Sequence, residues 1–183
     1  MKYYGAKELA ASFRTVRGNT IQIADDIPES NYDFVATEGA RSVERLVAHI
    51  AFSYRFQHRV HAEEKRSTLE GIDFLSLIQQ SAAEEAKPRT KAELIDLLKR
   101  EGEEWACFVE GLSEEFLSET VSMTPGSTPA SKSRFEMILS VKEHEMHHRG
   151  QLMLIERMLD IVPHLTRQRQ ERIAQARTAK SSS

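Results

Sequence analysis

One cysteine, five prolines and eight glycines in 183 residues leave this chain without several common structural devices. Cys107 has no partner for an intramolecular disulfide, which suits a reducing compartment, and a cytoplasmic location is expected. Nowhere do eighteen apolar residues run together, so no membrane-spanning helix is expected, and "MKYYGAKELAASF" lacks the apolar run of a signal peptide. Alternating Val, Ile and Thr runs bounded by turns are also missing, which leaves little room for a sheet. A formal net charge of -3 supplies no broad positive field for a polyanion. What is present is a soluble globular balance, 40% apolar and 29% charged, on a chain long enough to bury a core without a metal or a disulfide as staple.

Helical periodicity fills the space that strands leave. A first helix is predicted from about Ala6 to Ala24, with Leu9, Phe13, Val16, Thr20 and Ile23 on one face and Pro28 beyond its end. The second starts near Ser42, whose side chain can cap free amides, and carries Val43, Leu46, Val47, Ile50 and Tyr54. A shorter periodic piece, Phe74, Leu77 and Ile78, ends at Pro88; this connection is too long for a hairpin and reads as a crossover. The third helix opens on a capping box, Thr90-x-x-Glu93, and stops at Gly111. Its Cys107, among apolar residues in "EEWACFVEGL", is expected to be a buried structural thiol. After the loop "SMTPGSTPASKS", a second capping box, Ser133-x-x-Glu136, starts a fourth helix that runs to about Leu159. These elements predict an all-α four-helix bundle over residues 1–162, then a polar, net basic tail over residues 163–183, either a docked helix or a partly unordered segment.

Three of the seven histidines fall within "EHEMHHRGQL". Residues four apart on a helix differ by about 40° and one turn, so His144 and His148 can both reach one ion. His147 lies about 60° and 100° from those two and is a poor third ligand. The H-x-x-x-H pair is a weak signal by itself, and it gains weight from His49 in "RLVAHIAFSY", which points into the bundle interior. An imidazole there needs a hydrogen-bond partner or a metal. Three histidines suit Zn, Ni or Fe and leave a fourth position for water or substrate. The alternative is a hydrogen-bonded core histidine at His49 and a polar helix face at His144 and His148.

Around an ideal helix His58 and His61 lie about 180° and 120° from His49, so both are expected outside its site and solvated. His164, after Pro163, is expected outside the bundle. Gln151, about 20° from His144, either lines the cavity or is a surface polar residue. Glu143 and Glu145 point away from the ligand face, and Arg149 is expected to pair with Glu145.

Together, "RLVAHIAFSY" and "EHEMHHRGQL" resemble the DinB-like family, also known as DinB/YfiT-like metalloenzymes, over roughly residues 5–160. The stretch "YDFVATEGARSVERLVAHI" is similar to the family's approach to its second helix. The resemblance implies an up-up-down-down four-helix bundle with a long crossover between its second and third helices, often dimeric, and therefore a homodimer here. It also implies a divalent metal ion (Zn, Ni or Fe) held by His49, His144 and His148, with His147 as a neighbour that is not a ligand. Members with known chemistry include thiol transferases that use bacillithiol, mycothiol or glutathione, and a maleylpyruvate isomerase. The implied activity is a metal-dependent enzyme, of hydrolase or thiol S-transferase type, acting on a small-molecule substrate, with a low-molecular-weight thiol among the candidates. The alternative from another class is a non-catalytic dimeric bundle in stress response or partner binding. Nucleic-acid binding through "TRQRQERIAQAR" is not expected, because that segment has no aromatic residue on which a base could stack.

Overall fold

The computed structural model describes residues 4–181, so the first three residues and the last two of the tail lie outside the described residues. Its helices are α1 (Ala6–Asp26), α2 (Val43–Phe52), α3 (Arg55–His58), α4 (Phe74–Glu85), α5 (Lys91–Glu110), α6 (Glu114–Ser118), α7 (Arg134–Met158) and α8 (His164–Ser181). A π turn at Arg59–Glu63 continues α3. The helix starts follow the local signals. Ser42 accepts from the Arg45 amide at the head of α2, and both capping boxes form, Thr90 with Glu93 and Ser133 with Glu136. At the two ends of the expected loop, β1 (Thr120–Ser122) and β2 (Ser131–Ser133) pair antiparallel. Strands of three mostly polar residues are too short for any alternation to be read.

Helices α1, α2, α5 and α7 form a four-helix bundle in which α1 and α2 each pack on both α5 and α7. Ile23, Val43, Leu46, Leu94, Leu152 and Ile155 meet at one end of the core; Leu9, Phe13, Tyr54, Trp105 and Ile138 meet at the other. Helices α1 and α7 therefore run from the Trp105 end to the Ile23 end, and α2 and α5 run the opposite way. This corrects the expected order of directions: the helices run up-down-down-up, not up-up-down-down. The reason is that only one connection crosses the length of the bundle, the one from α2 through α4 to α5. Tyr32 Oη donates to Ala24 O (2.6 Å) and the Glu44 amide donates to Tyr32 O (2.8 Å), so the α1–α2 link returns at the same end. An up-up-down-down bundle requires two crossovers.

At mid-height one side chain touches all four helices. Arg17 of α1 donates to Glu145 of α7 through Nε (2.9 Å) and Nη2 (2.9 Å), to Leu98 O of α5 (2.7 Å) and to Ile50 O of α2 (3.3 Å). Thr20 Oγ1 donates to the same carboxylate at 2.7 Å. Both members of the ion pair are buried. Glu145 thus faces the interior and pairs across the bundle, which displaces the expected Arg149 pairing. Gly102 makes room for this arrangement, since a Cβ there would lie 2.8 Å from Arg17 Cγ.

Two further expectations are corrected here. Cys107 is exposed and its Sγ lies 3.2 Å from Glu103, because Trp105, Ala106 and Val109 take the inward positions of α5. His164 is buried, with its Nε2 donating to Asn19 Oδ1 at 3.1 Å, and Arg167 pairs with Asp26 at 2.6 Å; these contacts seat the start of α8 on α1. From Gln168 to Ala179 the helix is exposed. No helix among the described residues is long and apolar enough to cross a membrane.

Removing one partner of a buried pair leaves an uncompensated charge, so Arg17→Met is expected to cost about 3–5 kcal/mol in urea unfolding. Gly102→Ala, which crowds Arg17 without removing it, is expected to cost about 1–3 kcal/mol. Arg149→Ala serves as the control and should stay within about 0.5 kcal/mol.

Candidate metal centre

Helix α2 presents His49 one turn before it breaks at Ser53, and α7 presents His144 and His148 from adjacent turns. Their Nε2 atoms form a nearly equilateral triangle: 3.3 Å from His49 to His144, 3.1 Å from His49 to His148 and 3.2 Å from His144 to His148. The remaining ring nitrogens set the tautomers. Glu85 Oε1 at the end of α4 lies 2.6 Å from His49 Nδ1, and Gln151 Oε1 lies 2.8 Å from His148 Nδ1. Both partners are acceptors, so these two rings carry their proton on Nδ1 and turn an Nε2 lone pair inward. Two lone pairs then oppose one another across 3.1 Å. The third ring relieves this only in part, because one His144 proton can bridge to one neighbour. Its own Nδ1 is buried without a partner.

A cation resolves the arrangement. An ion about 2.0–2.1 Å from three tetrahedrally placed nitrogens would hold them about 3.3–3.4 Å apart, close to the spacing observed. The donor set therefore fits a divalent ion of borderline softness, and among the described residues these three are a group able to hold one. Burial, followed by the neighbouring imidazoles, takes His144 down to about 4, and burial also lowers His148. At neutral pH both rings are thus in the uncharged form that a metal requires.

Glu85 did not stand out in the sequence. It lies 36 positions from His49 on another helix, with no periodic relation to it. Burial works to raise its carboxyl, but the hydrogen bonds from His49 and Arg41 outweigh this and hold it at about 2. A permanently ionised carboxylate on Nδ1 fixes the ring's orientation and strengthens Nε2 as a donor to metal. Gln151 does the same for His148 through a neutral carbonyl. Its place is therefore beneath the His148 ring and not on the cavity wall.

The triangle opens on a cleft of about 810 Å³, with His49 and His144 on its wall beside Phe52, Tyr54, Arg55 and Glu104. His147 stays outside the triangle, exposed, with Gln151 Nε2 at 3.3 Å. The expectation for His58 is corrected. It is not simply solvated but lines the same cleft, because the chain breaks after Phe52 and the rotation counted along one ideal helix from His49 no longer holds. His61 is also corrected: it is buried, with Nδ1 accepting from Arg134 (2.9 Å) and Nε2 donating to Gln57 (3.1 Å). Burial, and then the Arg134 charge, pushes it down to about 4.

The sequence model of the DinB superfamily matches residues 12–152. The uncharacterized protein YjoA of Bacillus subtilis (strain 168) is 27% identical over 152 residues, covering 83% of this chain and 89% of its own length. Among solved structures, the B. subtilis DinB-like protein YjoA superposes with a TM-score of 0.60 at 23% identity, over 84% of this chain and 92% of that one. YfiT from B. subtilis, described as "a probable metal-dependent hydrolase with an unusual four-helix bundle topology", superposes with a TM-score of 0.62 at 15% identity, over 85% and 88% of the two chains. At these identities the structural likeness establishes the fold.

The depressed imidazoles give the metal-free protein a pH dependence of known sign. His61 and His144 fall from 6.5 to about 4 on folding, so the unfolded chain takes up protons first. Their contribution is complete above pH 6.5 and is lost as the pH falls toward 4. The melting temperature of metal-free protein should drop steadily across that window, less steeply for His61→Gln. Burial raises Glu156 to about 7 and works the other way as the pH falls, so the comparison decides: equal slopes for the parent and His61→Gln between pH 7 and 5 would contradict the burial argument for His61.

Proposed function

Because this chain belongs to the DinB superfamily, we propose that it is a metal-dependent enzyme that hydrolyses a small-molecule substrate, with His49, His144 and His148 as the ligands of one divalent ion. The observation that carries the reading is the triangle of Nε2 atoms at 3.1–3.3 Å, two of them opposed lone pairs, open to a cleft. The description of YfiT supports the hydrolytic class. Zn, Ni and Fe all suit imidazole, so the ligands do not select among them. Bound there, the ion would act as a Lewis acid and lower the pKa of a coordinated water. The protein's own contribution is orientation: Glu85 and Gln151 hold two rings in the ligating tautomer, and Phe52 and Phe56 give the cleft an apolar wall for the substrate body.

A cleft of about 810 Å³ also has room for a low-molecular-weight thiol beside an electrophile, and thiol S-transfer is the second reading. We further propose a homodimer, supported by Met146, Leu154, Met158 and Val162, which lie exposed along α7 and just beyond it at spacings of four and eight residues. The lone cysteine fits a cytoplasmic setting.

Protein purified without a histidine tag should carry about one equivalent of metal by mass spectrometry, removed by a chelator. His144→Ala, which removes no ion pair, should abolish binding while the metal-free form melts nearly as the parent does. No stoichiometric metal even after supplementation would overturn the reading, and a large loss of stability in the metal-free variant would favour the non-catalytic bundle. Sedimentation at micromolar concentration tests the dimer, which Leu154→Glu should dissociate.

A further inference from the structure

We propose that His58 is an acid–base residue of the cleft and Glu63 its positioning partner, an inference that rests on the hydrolytic reading above. In an α-helix residues 58 and 63 would stand about 140° apart, too far around the axis to meet. The chain instead widens into the π turn at Arg59–Glu63, where the Glu64 amide donates to Arg59 O at 2.9 Å across five residues. This brings residues five apart into line twice over: His58 Nδ1 lies 3.1 Å from Glu63 Oε1, and Arg59 pairs with Glu64. Insertions of this kind recur at functional sites because they re-aim side chains that a regular helix would keep apart.

The placement fits the role. His58 and Glu63 line the same cleft as His49 and His144. The His58 ring is held in plane by edge contacts with Tyr54 (5.9 Å between centroids) and Phe108 (5.4 Å). Glu63 accepts at Nδ1, so the proton sits there and Nε2 carries the lone pair. Among the described residues Nε2 has no hydrogen-bond partner. Other charges around the cleft are largely spoken for: Arg55 pairs with Glu101, Arg59 with Glu64 and Glu84 with Lys87, while Tyr54 Oη donates to Glu101. Glu104 completes the set.

The chemistry is proton transfer in the hydrolysis of an ester or amide. As a water oxygen bonds to the carbonyl carbon, its proton passes to His58 Nε2. As the bond from that carbon to the leaving oxygen or nitrogen breaks, the proton passes on to the leaving atom. The products are a carboxylic acid and an alcohol or amine, and nothing is oxidised or reduced. Glu63 holds the ring in the tautomer that can accept, the logic of a carboxylate–imidazole pair.

The test uses zinc-loaded protein with benzyl acetate, a poor leaving group, and p-nitrophenyl acetate, a good one. His58→Gln should lower kcat on benzyl acetate on the order of 10²-fold and distinctly less on p-nitrophenyl acetate, whose leaving group needs no proton. Zinc content, KM and melting temperature should hold. Glu63→Gln should lower kcat in the same pattern, and nitrogen NMR should show His58 protonated on Nδ1 in the parent and shifted toward Nε2 in that variant. Unchanged kcat in His58→Gln while hydrolysis still requires zinc overturns this inference alone. Zinc-loaded parent no faster than zinc-free protein overturns the hydrolytic reading and this inference with it. Should His58→Gln not fold, an Nε2 proton in the parent spectrum overturns the assignment.

Discussion

The register of the histidine triangle depends on Arg17. Its guanidinium is the point at which α1, α2, α5 and α7 are tied together, and two of its partners adjoin site residues in sequence: Ile50 follows His49, and Glu145 follows His144. A slide of α7 against α2 by one residue, about 1.5 Å along the axis, would break the Glu145 contact and part the imidazoles in the same movement. The fold therefore specifies the histidine triangle through a buried ion pair that does not itself touch the cleft. Such pairs contribute little net stability, because desolvation offsets their attraction, but they penalise every arrangement that leaves one charge unmatched.

Much of this was legible in the sequence where the information is local. Caps at Ser42, Thr90 and Ser133 act within one turn, and the apolar spacing of three and four survives into the observed cores. The pairing of His144 with His148 is likewise a property of one helix, and the inward direction of His49 follows from its apolar neighbours. What was not legible is whatever depends on how elements meet. Glu85, Arg17 and Gly102 are informative only once α4, α1 and α5 are in place. Helix directions were expected from the family resemblance and had no support in the residues themselves: periodicity marks a helix and is silent about which end of the bundle it starts from. The readings of His58 and His61 assumed an uninterrupted helix, and neither the break after Phe52 nor the π turn carries a sequence mark.

The crossover illustrates how a weakly packed element can still be constrained. Within α4 only Glu85 is buried, while Leu75 and Ile78 are exposed. Little apolar surface holds this helix to the bundle. The contacts at its end are polar: Glu85 with His49 and Arg41, followed by the Arg89 amide with Glu44. The segment beside the cleft is thus attached at His49, so the electrostatics of the histidine triangle and the placement of α4 are linked through one carboxylate.

The distance along the chain between the first and second imidazoles of the triangle is 95 residues. Closing a loop of that length costs about 4 kcal/mol in chain entropy, and packing of the helices must supply it before any ion can be shared between them. During synthesis α2 is complete long before α7 emerges, so a nascent chain has only His49 of the three until α7 appears, and the three imidazoles cannot converge until that last bundle helix docks. The long span thereby makes completion of the triangle a late event in folding, reserved for chains that have already assembled the bundle.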